Sequence, residues 1–220
     1  MRTVIFDLDG TLADTSGDLI AAANACFRDL GHGDMLDPVA DRSTAFHGGR
    51  AMLRLGFERL GVTGDEAVDA QYPRLLTSYA ENIDVFTTLY PGVEAGIEGL
   101  LEAGYTVGIC TNKPEGLAEE LMTRLGVRGL FRSLIGADTL PVRKPDPAPY
   151  VAAVERAGGD VARSALVGDT VTDRETARAA GVPCALITFG PDGRSVESLE
   201  PEALLDDYEA LTAVVARLIG

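Results

Sequence analysis

The sequence predicts an α/β fold: a parallel sheet covered by helices on both faces, interrupted after its first strand by an inserted all-helical domain. Three observations predict it. Short β-rich apolar runs alternate with segments of helical period from about Pro91 onward. Residues 15–83 carry helical spacing and no convincing strand. A strand-like run stands before that block, at Thr3–Leu8, so the block interrupts a sheet rather than preceding one. The expected domains are therefore 1–14 with 84–220 for the sheet, and 15–83 for the helical insertion.

Each element has its own signal. Thr3–Leu8 is a buried strand that opens into Asp7-Leu8-Asp9-Gly10. Ser16–Leu30 spaces Leu19, Ile20, Ala23, Phe27 and Leu30 along one helical face, with Ser16 as N-cap candidate and Gly31 as the stop. Helices are expected over Gly49–Leu60 and Asp65–Asn82. After Pro91 come a helix at Val93–Ala103, a strand at Tyr105–Cys110 and a helix from Pro114 to Leu125. A strand at Ser133–Ile135, a helix at Pro147–Arg156, a strand at Ala165–Val167, a helix at Thr172–Ala180 and a strand at Cys184–Thr188 continue the alternation. Leu204–Leu218 reads as mainly helical, and the segment from Pro191 carries no motif.

Composition bounds the function. A chain of 220 residues buries about 70% of its unfolded surface, enough for a real core. Its 46% hydrophobic and 24% charged residues are those of a globular protein. No apolar run reaches the 18 residues of a membrane span, and Met1–Gly10 lacks the pattern of a secretory signal. The net charge of −15 repels nucleic acid and anionic membranes, so neither is an expected partner. Cys26, Cys110 and Cys184 are scattered and odd in number, which fits reduced, buried thiols and a cytoplasmic location. With only His32 and His47, no G-x-S-x-G and no lysine after a glycine, the chemistry falls to carboxylates, Lys113, Lys144, arginines and hydroxyls.

Three expected strands end in polar residues: Asp7 and Asp9, Thr111 and Asn112, and Gly168-Asp169. Ligands of open α/β sheets bind beyond the carboxyl ends of the strands. Asp7 and Asp9 lie two apart and so face one side if the extended geometry persists. Paired carboxylates either share a proton or hold a cation. Asp7 and Asp169 offer oxygen ligands suited to Mg²⁺, and Asp9 is placed to hold and deliver a proton.

Asp7-Leu8-Asp9-Gly10-Thr11, Thr111-Asn112, Lys144, and Gly168-Asp169 with Asp173 together resemble the four motifs of the haloacid dehalogenase-like hydrolase superfamily. Thr111-Asn112-Lys113-Pro114, the run Leu140–Pro147 and Phe46-His47-Gly48-Gly49-Arg50 look most like its bacterial phosphoglycolate phosphatases. The resemblance implies a Rossmann-like core with a helical cap and a Mg²⁺-dependent phosphatase acting on a small phosphomonoester, 2-phosphoglycolate first. It implies Asp7 as nucleophile, Asp9 as acid and base with its carbonyl on the metal, and Lys144 as the cation that screens the phosphate. Thr111 and Asn112 would bind phosphate. Asp7, Asp9, Asp169 and Asp173 form the implied metal set, with Asp173 alternatively orienting Lys144 or a metal-bound water, or only opening a helix. Lys113 either meets the substrate or only begins a helix. Arg50, with His47, either pairs with a substrate carboxylate or stays solvated. A sugar-phosphate phosphatase or phosphomutase is the alternative enzyme. A non-enzymatic binding module would predict a broken motif set, and every element is present.

Overall fold

A computed structural model describes all residues 1–220. Strands rich in Val, Ile, Leu and Ala form a parallel sheet because apolar runs buried on both faces have no other stable environment. The elements, in chain order, are β1 (Thr3–Phe6), β2 (Ala13–Asp14), α1 (Ser16–Asp29), α2 (Arg42–Ala45), α3 (Gly49–Arg59), α4 (Glu66–Glu81), β3 (Thr88–Leu89), α5 (Val93–Glu102) and β4 (Thr106–Cys110). They continue with α6 (Glu115–Arg124), β5 (Ser133–Ile135), α7 (Ala148–Arg156), β6 (Ser164–Gly168), α8 (Val171–Ala180), β7 (Cys184–Ile187), β8 (Ala203–Leu205) and α9 (Leu211–Ile219). Six strands make one sheet in the order β5-β4-β1-β6-β7-β8, and β2 and β3 form a separate two-stranded sheet.

The chain divides into two compact units, Met1–Ala13 with Leu89–Gly220, and Asp14–Thr88. In the first unit β1 is central, parallel to β4 on one side and β6 on the other. Phe6 is level with Ile109 and with Val167, so the three strands end within one residue of one another. The strand order reverses around β1, which makes the carboxyl end of β1 the switch point where α/β sheets bind ligands. Beneath it Ile5, Ile135, Tyr150, Val154, Leu166 and Leu186 pack into one apolar cluster. Each large side chain so buried contributes roughly 1.5–3 kcal/mol.

The second unit is helical. Phe27 on α1 meets Phe57 on α3 edge to face, with ring centroids 5.1 Å apart. Met52, Leu53, Leu75 and Tyr79 complete its buried interior. Two details depart from the sequence expectation. The N-terminus of α1 is held by Asp14, whose carboxylate accepts from the Ser16 amide at 3.2 Å and the Ser16 hydroxyl at 2.6 Å; Ser16 is the first helical residue, not the cap. The unit also runs to Thr88, past the expected boundary at 83. The buried Asp18 carboxylate accepts from the Phe86 and Thr87 amides and the Thr87 hydroxyl, which fastens that segment to α1.

The C-terminal segment differs more. Instead of one helix from 204 to 218, it forms the edge strand β8, a 3₁₀ turn at Tyr208–Ala210 and then α9. Leu204 and Leu205 pair in parallel with Leu186 and Ile187. A short apolar run fits a strand as well as a helix, and the open edge of β7 decides it. The three cysteines are free and buried. No helix is long and apolar enough to cross a membrane.

Candidate active site

The site residues of the sheet unit come from four chain segments that meet beyond the ends of β1, β4 and β6. Asp7 follows β1 directly, and its amide donates to the Val167 carbonyl at 2.9 Å, so it is fixed to the neighbouring strand. The chain then turns at once. The amides of Thr11, Leu12 and Ala13 all donate to the Leu8 carbonyl, at 3.2, 2.9 and 3.1 Å. Gly10 supplies the positive φ of 86° that this turn requires, a conformation costly for any residue with a Cβ.

Lys144 is the centre of the charge arrangement. Its ammonium lies 2.6 Å from Asp173 Oδ1 and 2.9 Å from Asp7 Oδ1, with 2% of the side chain exposed. Burial works against its charge, but Asp173 and Asp7 overcome this and hold the ammonium above its ordinary pKa. Burial pushes the Asp7 carboxyl up to about 6, against the pull of Lys144. Asn112 reaches the same loop from the end of β4: its side-chain amide donates to the Lys144 carbonyl at 3.0 Å.

Asp173 uses both of its oxygens. Oδ1 receives Lys144, and Oδ2 accepts from the Asp169 amide (3.2 Å), the Thr170 amide (3.1 Å) and the Thr170 hydroxyl (2.8 Å). Gly168 makes this possible, since a Cβ there would stand 2.4 Å from the Asp173 side chain. Asp173 thus closes the first turn of α8 and orients Lys144 in the same geometry.

Asp169 is the opposite case. Oδ1 accepts from the Thr11 hydroxyl at 2.7 Å, while Oδ2 is buried with no hydrogen-bond partner. Burial raises its pKa well above the ordinary range, and the nearby Asp173 and Asp7 raise it further. Carboxylate oxygens of Asp7, Asp169 and Asp173 lie within 4.8 Å of one another. Three buried carboxylates against one ammonium leave an excess of negative charge, and Asp169 Oδ2 has no donor at all. A small, hard divalent cation fits that donor set and would remove its cost.

Asp9 lies outside this trio. Its Oδ1 pairs with Lys113 at 2.7 Å, and its side chain is 20% exposed against 3% for Lys113. Thr111 is buried at the end of β4, and its hydroxyl accepts from the Lys113 amide at 3.1 Å. The remaining sequence candidates belong to the helical unit. His47 donates from Nδ1 to the Ser43 carbonyl at 2.9 Å. Arg50 pairs with Asp69 and lies over the Tyr72 ring, 4.6 Å from its centroid.

Sequence reasoning assigned no task to Thr11, although it stands in the first motif, and none to Tyr208, whose hydroxyl donates to the Thr11 carbonyl at 2.8 Å. The sequence marks Asn112 as a phosphate donor but carries no sign of its bond to the Lys144 carbonyl. Burial pushes the Cys110 thiol up to about 12, which leaves it a packed, unreactive side chain.

Residues 4–187 match the family model of the haloacid dehalogenase-like hydrolases. The chain is 38% identical to a phosphoglycolate phosphatase of Mesorhizobium japonicum over 98% of this chain and 96% of that one. It is 39% identical to a phosphoglycolate phosphatase of Agrobacterium fabrum over 98% of this chain and 93% of the other. In fold it resembles the crystal structure of a predicted phosphoglycolate phosphatase from Haemophilus somnus, with a TM-score of 0.85, 23% identity and 97% of each chain covered. With the motif residues gathered at the switch point of a parallel sheet, these matches mean that the chain belongs to the haloacid dehalogenase-like hydrolase family, as an enzyme of the phosphatase type.

Proposed function

We propose that the chain is a Mg²⁺-dependent phosphatase that hydrolyses a small anionic phosphomonoester, 2-phosphoglycolate before others, through an aspartyl-phosphate on Asp7. The observation that carries this reading is the buried Lys144 ammonium, shared between Asp7 and Asp173, beside the uncommitted oxygen of Asp169. Asp7 and Asp169, with Asp173 and the Asp9 carbonyl, are the candidate donors for Mg²⁺. When bound, the ion supplies positive charge that offsets repulsion between a carboxylate and a phosphate dianion.

The chain's own residues do the rest. Asp7 attacks phosphorus, forming a carboxyl O–P bond as the P–O bond to the leaving alkoxide breaks. Asp9 gives its proton to that alkoxide. Asp9 then takes a proton from water as the water oxygen attacks phosphorus, the Asp7–phosphorus bond breaks and inorganic phosphate leaves. Lys144 stabilises charge on the transferring group through both steps, held in place by Asp173 and by Asn112 on its carbonyl. Thr111, Asn112 and Lys113 line the phosphate side. Arg50, with His47 near it in sequence, is the cation offered to a substrate carboxylate, exchanging Asp69 for it. The −15 charge and three unpaired cysteines support a small-molecule substrate in a reducing, cytoplasmic setting.

Phosphate release from a panel of small phosphoesters, with Mg²⁺ and with chelator, tests the reading. The expected result is the highest kcat/KM on 2-phosphoglycolate and loss of release on chelation. A product isomer without net phosphate release would make the enzyme a mutase. Preference for a sugar phosphate would overturn the substrate.

A further inference from the structure

The segment beyond Pro191 contributes no motif, yet one of its side chains reaches the loop that carries Asp9. Tyr208 stands in the 3₁₀ turn before α9, only 1% exposed. Its hydroxyl donates to the Thr11 carbonyl at 2.8 Å, and Thr11, fully buried, donates its own hydroxyl to Asp169 Oδ1 at 2.7 Å. A chain of two buried hydrogen bonds therefore runs from the C-terminal segment to Asp169, whose Oδ2 is buried without a hydrogen-bond partner.

The ring of Tyr208 has little room to move. Its centroid lies 5.6 Å from that of Phe189, which in turn lies 5.4 Å from the Tyr90 ring. The Tyr90 backbone amide donates to the Leu12 carbonyl at 3.0 Å, so the loop is held at two successive carbonyls, one by a side chain and one by the backbone. On the other side, α5 approaches so closely that a Cβ on Gly96 would stand 3.0 Å from the Tyr208 carbonyl. A phenylalanine would fill this space equally well. The hydroxyl is the part that packing alone does not explain, and a buried phenol donor is retained where it has a specific partner.

We propose that Tyr208 is a positioning residue for the metal-binding carboxylate. By fixing the Thr11 carbonyl it sets the Thr11 hydroxyl on Asp169 Oδ1, which selects Oδ2 as the oxygen left for the cation. The inference rests on the reading above that the carboxylate trio holds a divalent ion. Outer partners of this kind decide the orientation, and so the affinity, of the ligands they touch.

The test is direct Mn²⁺ binding to the full, metal-free protein, read by the electron paramagnetic resonance of free Mn²⁺, alongside thermal unfolding. Thr11→Val is expected to weaken binding by roughly 10–100-fold. Tyr208→Phe, one bond further out, is expected to weaken it by roughly 3–10-fold. The double variant should bind about as Thr11→Val does, because both act along one path. Thr11→Ser, which keeps the hydroxyl, should restore binding. Tyr150→Phe is the control: it removes another buried hydroxyl, the one bonded to Ser164 at 2.6 Å, and should lower stability without changing Mn²⁺ affinity. Wild-type Mn²⁺ affinity in Tyr208→Phe or in Thr11→Val would overturn the inference. A wild-type protein that binds no Mn²⁺ would instead overturn the metal reading beneath it.

Discussion

Lys144 and Arg50 are both cations set against aspartate, and they illustrate two uses of charge in one chain. Lys144 is 2% exposed and faces two carboxylates in the sheet unit. Arg50 is 48% exposed in the helical unit and faces Asp69, itself 59% exposed. Surface pairs of the second kind are worth about 0.2–1 kcal/mol and are weakened by salt. Arg54 with Asp65 and Arg74 with Asp29 repeat that pattern. At the buried site water no longer screens, and an unbalanced carboxylate matters far more. Around Lys144 the sheet unit gathers buried carboxylates about one ammonium, while these three pairs of the helical unit stand exposed.

Of the two cations, Lys144 should have the larger effect when removed. Lys144→Met is expected to lower kcat by about 10³-fold, the scale of losing a preorganised donor at a developing charge. Arg50→Ala should cost roughly tenfold on 2-phosphoglycolate and little on a neutral phosphoester, as measured by kcat/KM on both. Equal losses on the two substrates would confine Arg50 to its surface pair. A loss rivalling that of Lys144→Met would break the comparison altogether.

Stability should move in the opposite sense at the site. Asp169 titrates well above its ordinary pKa, so the folded state holds its proton more tightly than the unfolded chain does. Its ionisation therefore costs stability as pH rises above about 4, and that cost is present at neutral pH. Asp169→Asn is expected to raise the Tm of the metal-free protein at pH 7.5 by a few degrees, about 1 kcal/mol, while abolishing stabilisation by added Mg²⁺. A lower Tm would contradict the charge excess.

An effect of similar size and opposite sign belongs to Asp41 in the helical unit. Its carboxylate receives two bonds from Arg59, both at 2.7 Å, which hold its pKa below the ordinary value. A depressed folded pKa gives stability that is complete above the unfolded value near 4 and is lost as pH falls through the lower folded one. Asp41→Asn should cost about 1 kcal/mol at pH 7 and less below pH 4, as followed by denaturant unfolding. A pH-independent cost would assign the effect to packing.

The parts of the fold legible in the sequence are those with a periodic signal. β1, β4 and β6 show as apolar runs because both faces are buried, and α1, α3 and α4 show because one face is. The site was legible where chemistry recurs at strand ends, as at Asp7, Thr111 and Asp169. What escaped has no local signal. The strand identity of Leu204 and Leu205 depends on the edge of β7, and the bond of Asp18 to Thr87 crosses 69 positions. Tyr208 lies 197 positions from Thr11, and a lone tyrosine in a motif-free tail has nothing to mark its partner. Asn112 could be placed near the site, but its bond to the Lys144 carbonyl follows only from how two loops meet.

The most direct measurement is the capture of the covalent intermediate. Protein quenched during turnover of a ³²P-labelled phosphomonoester should carry label on the peptide that contains Asp7, and hydroxylamine should release it, as expected of an acyl phosphate. Asp7→Asn, folded as the wild type, should carry none and lose at least about 10³-fold in rate. Label on another residue, or near-normal turnover in Asp7→Asn, would contradict nucleophilic attack by this carboxylate.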